Sequence, residues 1–153
     1  MRDLVRQSNH PLVRQKLTEL RSRDTDAPTF RRLLHDVATL LLVDATSDLE
    51  LERIPVLTPV AETVGTRLAE RVAFIPVLRA GLGMLDAALE LIPAARVWHL
   101  GIRREEVTLR PVTYYSPLHG LAPVDRCFVL DPTVATGRTA VAAIGAVKQW
   151  ARG

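Results

Sequence analysis

The segment from Cys127 to Thr139 constrains the fold of this chain more than any other part of the sequence. Residues 127–130 form an apolar run with no polar alternation, which is typical of a strand buried in a parallel sheet. After the segment, alanines and three apolar residues at helical spacing (Val141, Ile144 and Val147) predict a helix. Strand, polar loop and helix in this order predict an α/β unit whose loop lies where such sheets bind ligands.

The loop between this strand and this helix carries the groups that a sugar phosphate needs. The N-terminus of a helix presents free backbone N–H groups and the positive end of the helix dipole, and both favour a phosphate. Thr136 and Thr139 add hydroxyl donors, while Gly137 lets the backbone approach the anion closely. Asp131, at the carboxyl end of the strand, is placed to accept hydrogen bonds from sugar hydroxyls. Two plainer interpretations stay open, namely a connection with a threonine cap or Asp131 as a helix N-cap.

Composition limits the class of protein. Apolar residues make up 48% and charged residues 24%, as in ordinary soluble globular proteins. No apolar run approaches the roughly 20 residues of a membrane helix, and polar residues such as Arg2 and Asp3 argue against a signal peptide, so we expect a cytoplasmic protein with no membrane partner. The single cysteine, Cys127, excludes an internal disulfide. The four histidines are scattered without metal-ligand spacing, so we expect no metal site built by the protein alone.

The charge balance suits a small polyanionic substrate better than a nucleic acid. Lysine and arginine number 20 against 17 aspartates and glutamates, and arginines stand among acids, as in residues 103–106. Aromatic residues make up only 5% of the chain, too few for a platform on which bases stack. We therefore expect no nucleic-acid partner.

Two helices are predicted before the sheet begins. Asn9, followed by Pro11, is expected to open a helix that runs to about Arg21. Residues 25–28 are expected to open a second helix. Its predicted buried face consists of Phe30, Leu33, Leu34, Val37, Leu40 and Leu41.

The rest of the pattern predicts a hairpin arm and a central sheet. Residues 54–57 and 62–67 are the expected strands of the arm, which lies outside the sheet. Sheet strands are expected at 72–77, 96–102 and 127–130, with an extended excursion at 112–115 and a helix after residue 83. Strands that alternate with helices predict an α/β fold, a parallel sheet with helices on both faces, to which the two amino-terminal helices add.

Residues 131–139, which read Asp-Pro-Thr-Val-Ala-Thr-Gly-Arg-Thr, resemble a loop of a known family. The loop is the one that binds phosphoribosyl diphosphate (PRPP) in the type I phosphoribosyltransferases, in the form seen in uracil phosphoribosyltransferase. Further segments are similar to that family in order and spacing, namely His10–Val13, Asp44–Leu49, Pro76–Met84 and Gly101–Glu106. The resemblance covers nearly all of the chain.

The resemblance implies a fold and an activity. The implied fold is the Rossmann-like parallel sheet of the type I phosphoribosyltransferases, with amino-terminal helices and a β-arm. The implied reaction transfers the 5-phosphoribosyl group from PRPP to uracil and gives UMP and diphosphate, a step of pyrimidine salvage. Magnesium (Mg2+) is implied as an ion bound through PRPP and held mainly by the ligand and water.

The resemblance also implies roles for residues of this chain. Arg79 and Arg104 would hold the diphosphate and Asp131 the ribose hydroxyls, which makes these three the candidate catalytic residues. The implied PRPP-binding residues, besides the two arginines, are Asp131, Pro132, Thr133, Val134, Ala135, Thr136, Gly137, Arg138 and Thr139. Taken alone, an arginine such as Arg79 is more often a solvated surface residue, and Arg104 pairs as well with Glu105 or Glu106.

The sequence departs from the family's pattern in several places. Arg103 stands where an aromatic residue is usual, Thr133 where an apolar one is usual, and Arg138 where glycine or asparagine is usual. Family members also continue past the helix that follows the loop, with more strands and a hood that reads uracil. We therefore expect residues 1–153 to form one phosphoribosyltransferase-like domain that is incomplete at its C-terminus.

Two alternatives to an active enzyme follow from that expectation. The first is a catalytically impaired PRPP-binding or regulatory homologue, because the base-binding region is absent from the sequence. The second is a fragment that keeps only a surface for oligomerisation. In each case we expect a homodimer or a higher homo-oligomer.

Overall fold

The computed structural model describes residues 5–105, 111–118 and 121–151, with Arg104 described by its backbone alone. The chain contains both helices and strands, as the sequence predicts for an α/β protein. In chain order they are α1 Pro11–Leu20, α2 Ala27–Ala45, β1 Leu51–Leu57, β2 Glu62–Leu68, β3 Val72–Leu78, α3 Leu82–Leu91, β4 Arg96–Val97, β5 Leu100–Arg104, β6 Pro111–Tyr115, β7 Arg126–Leu130 and α4 Arg138–Trp150.

Strand β3 is the centre of the main sheet, which has five strands in the described residues. It runs parallel to β4, β5 and β7, and only β6 is antiparallel, to β5. Phe74 and Ile75 of β3 have no exposed surface, since both faces of the strand are covered. The predicted parallel sheet with helices is therefore confirmed, and β6 makes it a mixed one.

The strand predicted at 96–102 is broken in two at Trp98 and His99. Both pieces keep one register against β3, with Ala73 opposite Arg96 and Val77 opposite Leu100. Phe74 O accepts a hydrogen bond from Trp98 N at 3.0 Å, so the next bond of the ladder would run from residue 76 back to Trp98 O. Residue 76 is a proline, which has no N–H to donate, and the ladder stops there.

Helices cover the two faces of this sheet. Helix α4 packs on one face, where Ala143 meets Ile75, Val77 and Leu100. Helices α2 and α3 pack on the other face, where Leu42 and Ala88 meet Phe74 and Leu130.

The start of α2 agrees with the prediction from the sequence, and the N-cap of α1 does not. Asp26 caps α2, because its Oδ1 accepts a hydrogen bond from Thr29 N at 2.8 Å. The predicted cap of α1, Asn9, is wrong by one residue. His10 takes that place, and its Nδ1 accepts a hydrogen bond from Leu12 N at 3.2 Å.

The apolar faces of the helices are rotated from the predicted ones. The buried stripe of α2 consists of Leu33, Val37, Ala38 and Leu42, and the predicted Phe30 is 41% exposed. In α4, Val141 and Ile144 are exposed, while Ala142, Ala143, Ala146 and Val147 face the core. Alanines let α4 approach the sheet closely, which a stripe of larger residues would prevent.

Strands β1 and β2 form the predicted hairpin outside the main sheet. They pair from Leu51 opposite Leu68 to Leu57 opposite Glu62. Several large apolar side chains of the hairpin are exposed, and Val60 at its turn is 95% exposed. Across the described ranges, no helix has both the length and the hydropathy that crossing a membrane requires.

Candidate active site

The candidate site lies at the edge of the sheet where the parallel strands β3, β5 and β7 have their carboxyl ends, which we call the carboxyl edge. Pro76 lies opposite Leu130, and Leu78 lies opposite Gly101. The loops that follow β3 and β7 therefore leave the sheet side by side. This is the place where open α/β sheets bind ligands.

The loop after β3, residues 79–81, folds back onto the end of its own strand. Gly81 N donates to Val77 O at 2.8 Å, and Leu82 N, at the start of α3, donates to Arg79 O at 3.2 Å. The peptide bond between Leu78 and Arg79 is cis. The Arg79 side chain is exposed and makes no hydrogen bond or ion pair with the rest of the described chain. The loop therefore presents one guanidinium group that no carboxylate of the described residues neutralises.

The loop after β7 begins with Asp131 and ends at Gly137. Asp131 Oδ1 accepts a hydrogen bond from Thr133 N at 3.2 Å. Gly137, with φ of 74°, occupies the N-cap position of α4, and no side chain caps this helix. Both plainer interpretations, Asp131 as N-cap and a threonine cap, are therefore wrong.

The N-terminus of α4 is open to an anion. Its first backbone hydrogen bond runs from Val141 N to Gly137 O, so the N–H groups of residues 138–140 have no partner within the helix. No acidic side chain lies in its first turn. The loop and the helix start enclose a hollow lined by Asp131, Thr133, Val134, Ala135, Gly137, Thr139 and Ala140. Free N–H groups at the positive end of a helix dipole suit a phosphate.

The other predicted site residues are Pro132, Thr136, Arg138 and Arg104. Pro132 is partly buried beside the hollow, while Thr136 and Arg138 are exposed. The backbone of Arg104 ends β5 and pairs with Pro111. Its side chain and Glu106, one of its proposed partners, lie outside the described residues.

The opposite edge of the same strands, which we call the amino edge, has charges that are neutralised within the protein. Asp125 accepts hydrogen bonds from Arg71 N at 2.8 Å, Nε at 2.9 Å and Nη2 at 3.0 Å. The Arg71 guanidinium and backbone N–H hold the pKa of the Asp125 carboxyl well below its usual range. Arg126 donates in the same way to Glu70 at 3.1 Å and to Asp48 at 3.2 Å. None of these pairs was predicted, because the partners are far apart in sequence.

Comparison with known proteins shows which family this chain is similar to. The family model described as uracil phosphoribosyltransferase matches residues 7–152. A protein named uracil phosphoribosyltransferase from Roseiflexus sp. (strain RS-1) is 52% identical over 94% of this chain and 69% of its own length. One of the same name from Bacillus caldolyticus is 44% identical over 92% of this chain and 68% of its own length. A solved structure of the AQ2163 protein from Aquifex aeolicus matches with a TM-score of 0.87 at 36% identity, over 96% of this chain and 70% of that one.

Proposed function

The chain belongs to the uracil phosphoribosyltransferase family, and we propose that it transfers the 5-phosphoribosyl group from PRPP to uracil, giving UMP and diphosphate. The observation that carries the proposal is the pair of anion-binding loops at the carboxyl edge. One presents Arg79, and the other presents Asp131 and the open N-terminus of α4. PRPP has a diphosphate at one end, a 5′-phosphate at the other and ribose hydroxyls between them. The names of the relatives support catalysis and lend no support to a catalytically impaired homologue.

The proposed reaction needs positioning and electrostatic stabilisation more than a protein nucleophile. The bond from ribose C1 to a diphosphate oxygen breaks, a bond from C1 to a ring nitrogen of uracil forms, and the proton on that nitrogen is released to the departing diphosphate or to water. Negative charge grows on the leaving diphosphate, and positive charge grows on C1 and the ring oxygen. Arg79 and Arg104 would neutralise the diphosphate, and Asp131 would hold the ribose hydroxyls so that C1 faces the base.

The phosphate hollow would fix the other end of the substrate. The N–H groups of Arg138, Thr139 and Ala140 point out of the helix end, the Thr136 hydroxyl lies in the loop, and the Thr139 hydroxyl lies in the first turn of α4. Pro132, Thr133, Val134 and Ala135 would contribute backbone contacts around the 5′-phosphate. Arg138 is exposed at the first position of α4, so its guanidinium can add a charge-assisted bond to that phosphate.

Magnesium fits this site as an ion that the substrate brings with it. In the described residues, no three histidines, cysteines, aspartates or glutamates converge on a point that would cage a metal. Mg2+ commonly binds substrate phosphates and water with help from one or two carboxylates, and Asp131 has one oxygen, Oδ2, without a hydrogen bond in the described chain. When bound, the ion would neutralise charge on the diphosphate.

The assembly and the place of action belong to the same proposal. We treat residues 1–153 as one phosphoribosyltransferase-like domain that acts in the cytoplasm, since phosphorylated substrates of this charge do not cross membranes unaided.

We expect a homodimer or a higher homo-oligomer, because an isolated two-stranded hairpin with exposed apolar residues gains stability from burial against a second copy. Sedimentation of the wild type and of a variant with Leu57→Ser and Val60→Ser tests this, and equal masses for the two at the monomer value would contradict it.

The test of the activity is product formation with matched variants at the two edges. The protein is incubated with PRPP, Mg2+ and labelled uracil, and we expect labelled UMP and diphosphate in equal amounts. Asp131→Asn should abolish most of the product, whereas Asp125→Asn, at the amino edge, should leave it unchanged. No UMP from the wild type at any protein concentration would rule out the proposed function.

A further inference from the structure

Gly81 is buried, whereas its neighbours Arg79 and Ala80 in the loop, and Leu82 and Gly83 at the start of α3, are exposed. Its backbone donates to Val77 O at 2.8 Å, which ties the loop to β3. Its α-carbon also faces β7, so that a Cβ at this position would meet the carbonyl oxygen of Leu130. Leu130 is the residue before Asp131. Gly81 is thus the point where the first anion-binding loop touches the strand that carries the second.

The need for glycine here comes from space and not from backbone conformation. Gly81 has φ of −60° and ψ of −20°, which any residue adopts. An added Cβ would lie 2.6 Å from Val77 N and 2.8 Å from Val77 O, and closer still to Leu130 O. All three atoms belong to the backbone of strands in the sheet, so no side-chain rotation makes room. The loop would have to move by at least 0.8 Å to restore an ordinary contact of 3.4 Å with Val77 N.

We propose that Gly81 is a positioning residue that sets the spacing between the Arg79 loop and the Asp131 loop. The inference rests on the proposed function, because that spacing matters only to a ligand that occupies both loops at once. PRPP is such a ligand, with diphosphate on one loop and ribose phosphate on the other. A displacement of about 1 Å between reacting groups lowers the rate of reaction on the order of 100-fold. Ligands that occupy only one loop would not sense the change.

Gly83 provides a matched control two residues away. Its added Cβ would meet Leu34 Cδ2 at 2.6 Å and Leu34 Cγ at 3.7 Å. This neighbour is the end of a flexible side chain on α2, which can rotate aside. The two glycines lie at the start of the same helix, and only Gly81 contacts β7.

The experiment measures three ligands on three proteins by calorimetry. The proteins are the wild type, Gly81→Ala and Gly83→Ala, and the ligands are PRPP with Mg2+, inorganic diphosphate and ribose 5-phosphate. We expect Gly81→Ala to weaken PRPP binding and, in the UMP assay, to lower kcat/KM by on the order of 100-fold. Its affinities for diphosphate and for ribose 5-phosphate should stay within about twofold of the wild type, the scatter for independent sites. Gly83→Ala should bind all three ligands as the wild type does.

The outcomes separate this inference from the proposed function. A wild type that does not bind PRPP contradicts both. A wild type that binds PRPP, with no difference between the two alanine variants, contradicts the spacing role alone. Equal losses for all three ligands in Gly81→Ala would also contradict it, because they indicate a general structural defect.

A second measurement on the wild type covers the case in which Gly81→Ala does not fold. PRPP with Mg2+, which occupies both loops, should slow hydrogen exchange at the Gly81 amide, whereas ribose 5-phosphate alone, which occupies only the Asp131 loop, should leave it unchanged. Exchange at Gly81 that saturating PRPP leaves unaffected, or that ribose 5-phosphate slows equally, would contradict the spacing role.

Discussion

The two edges of the sheet differ in how they treat their charged residues. Asp125 and Asp131 flank the same strand, β7, at its amino and carboxyl ends. Asp125 accepts three hydrogen bonds from Arg71, all of 3.0 Å or shorter. Asp131 accepts one, from Thr133 N at 3.2 Å, and the nearby Arg79 has no partner in the described chain. Within the described residues, one edge pairs its charges inside the protein, and the other leaves them unpaired, as the proposed ligand requires.

The amino end of β7 therefore carries an ion pair that joins two strands, and its carboxyl end carries a group that we propose binds the ligand. The Arg71–Asp125 pair joins the starts of β3 and β7, residues 54 apart in sequence. At the carboxyl edge, an internal ion pair between Arg79 and Asp131 would compete with substrate for both groups. Sites that bind ligands commonly forgo such stabilising contacts.

The largest effect that this comparison predicts is the loss of Arg79. Arg79→Ala should lower kcat/KM for UMP formation by about 100- to 1,000-fold, because a fixed donor that stabilises developing charge is removed. Steady-state kinetics with PRPP as the varied substrate measures it. Arg67→Ala, which breaks only the pair with Glu52 on the hairpin, serves as the control. Equal kinetics for both variants would show that Arg79 is an ordinary surface residue.

The next effect concerns the second loop. Asp131→Ala and Thr136→Ala should each weaken PRPP binding by about 1–3 kcal/mol, since a ligand group then lacks its hydrogen-bond partner. The free energy of unfolding should change little, because the Asp131 carboxylate makes a single hydrogen bond in the described structure and Thr136 is exposed. Calorimetry and urea unfolding give the two quantities, and unchanged PRPP affinity in both variants would refute the assignment.

A smaller effect is expected at Gly137, where the reason for glycine differs from that at Gly81. Its φ of 74° is in the left-handed region, and an added Cβ would meet nothing within 4 Å. Gly137→Ala should therefore cost about 1–2 kcal/mol of unfolding free energy through backbone strain alone. Gly137→Asn should cost less, because asparagine tolerates this conformation. If alanine and asparagine were equally destabilising in urea, strain would not be the cause.

The smallest effect on the ligand is expected at the amino edge. Asp125→Asn should leave PRPP affinity unchanged and lower stability in a pH-dependent way. Because the pKa of Asp125 is lowered in the folded protein, its stabilising contribution is present above the unfolded value of about 3.9 and is lost as the pH falls towards the folded value. Urea unfolding of wild type and variant should differ at pH 7, and the difference should shrink steadily as the pH falls below about 3.9. A difference that persists unchanged in acid would contradict this explanation.

The sequence predicted the parts of the fold in which local pattern and burial agree. β3 is apolar throughout because both faces of the sheet are covered there, and Asp26 begins α2 with its own side chain. The predictions failed where a distant neighbour decides. The strand at 96–102 is broken by Pro76 on β3, and α4 turns its alanines, not Val141 and Ile144, towards the sheet.

The candidate site likewise has parts that the sequence predicts and parts that it does not. The loop at 131–139 was predicted because its phosphate-binding groups are consecutive in sequence. The role inferred for Gly81 was not, since its reason lies in the carbonyl of Leu130, 49 residues away. The Arg71–Asp125 pair was missed for a similar reason, because no pattern in either segment points to the other.

The most direct test of a ligand-binding carboxyl edge is amide NMR of the 15N-labelled protein during titration with PRPP and Mg2+. Backbone amides of residues 79–83, of Asp131 and of residues 133–140 should shift together along one binding curve, while the amides of Arg71 and Arg126 at the amino edge stay in place. Shifts at the amino edge alone, or saturation with PRPP that leaves both loops unmoved, would contradict it.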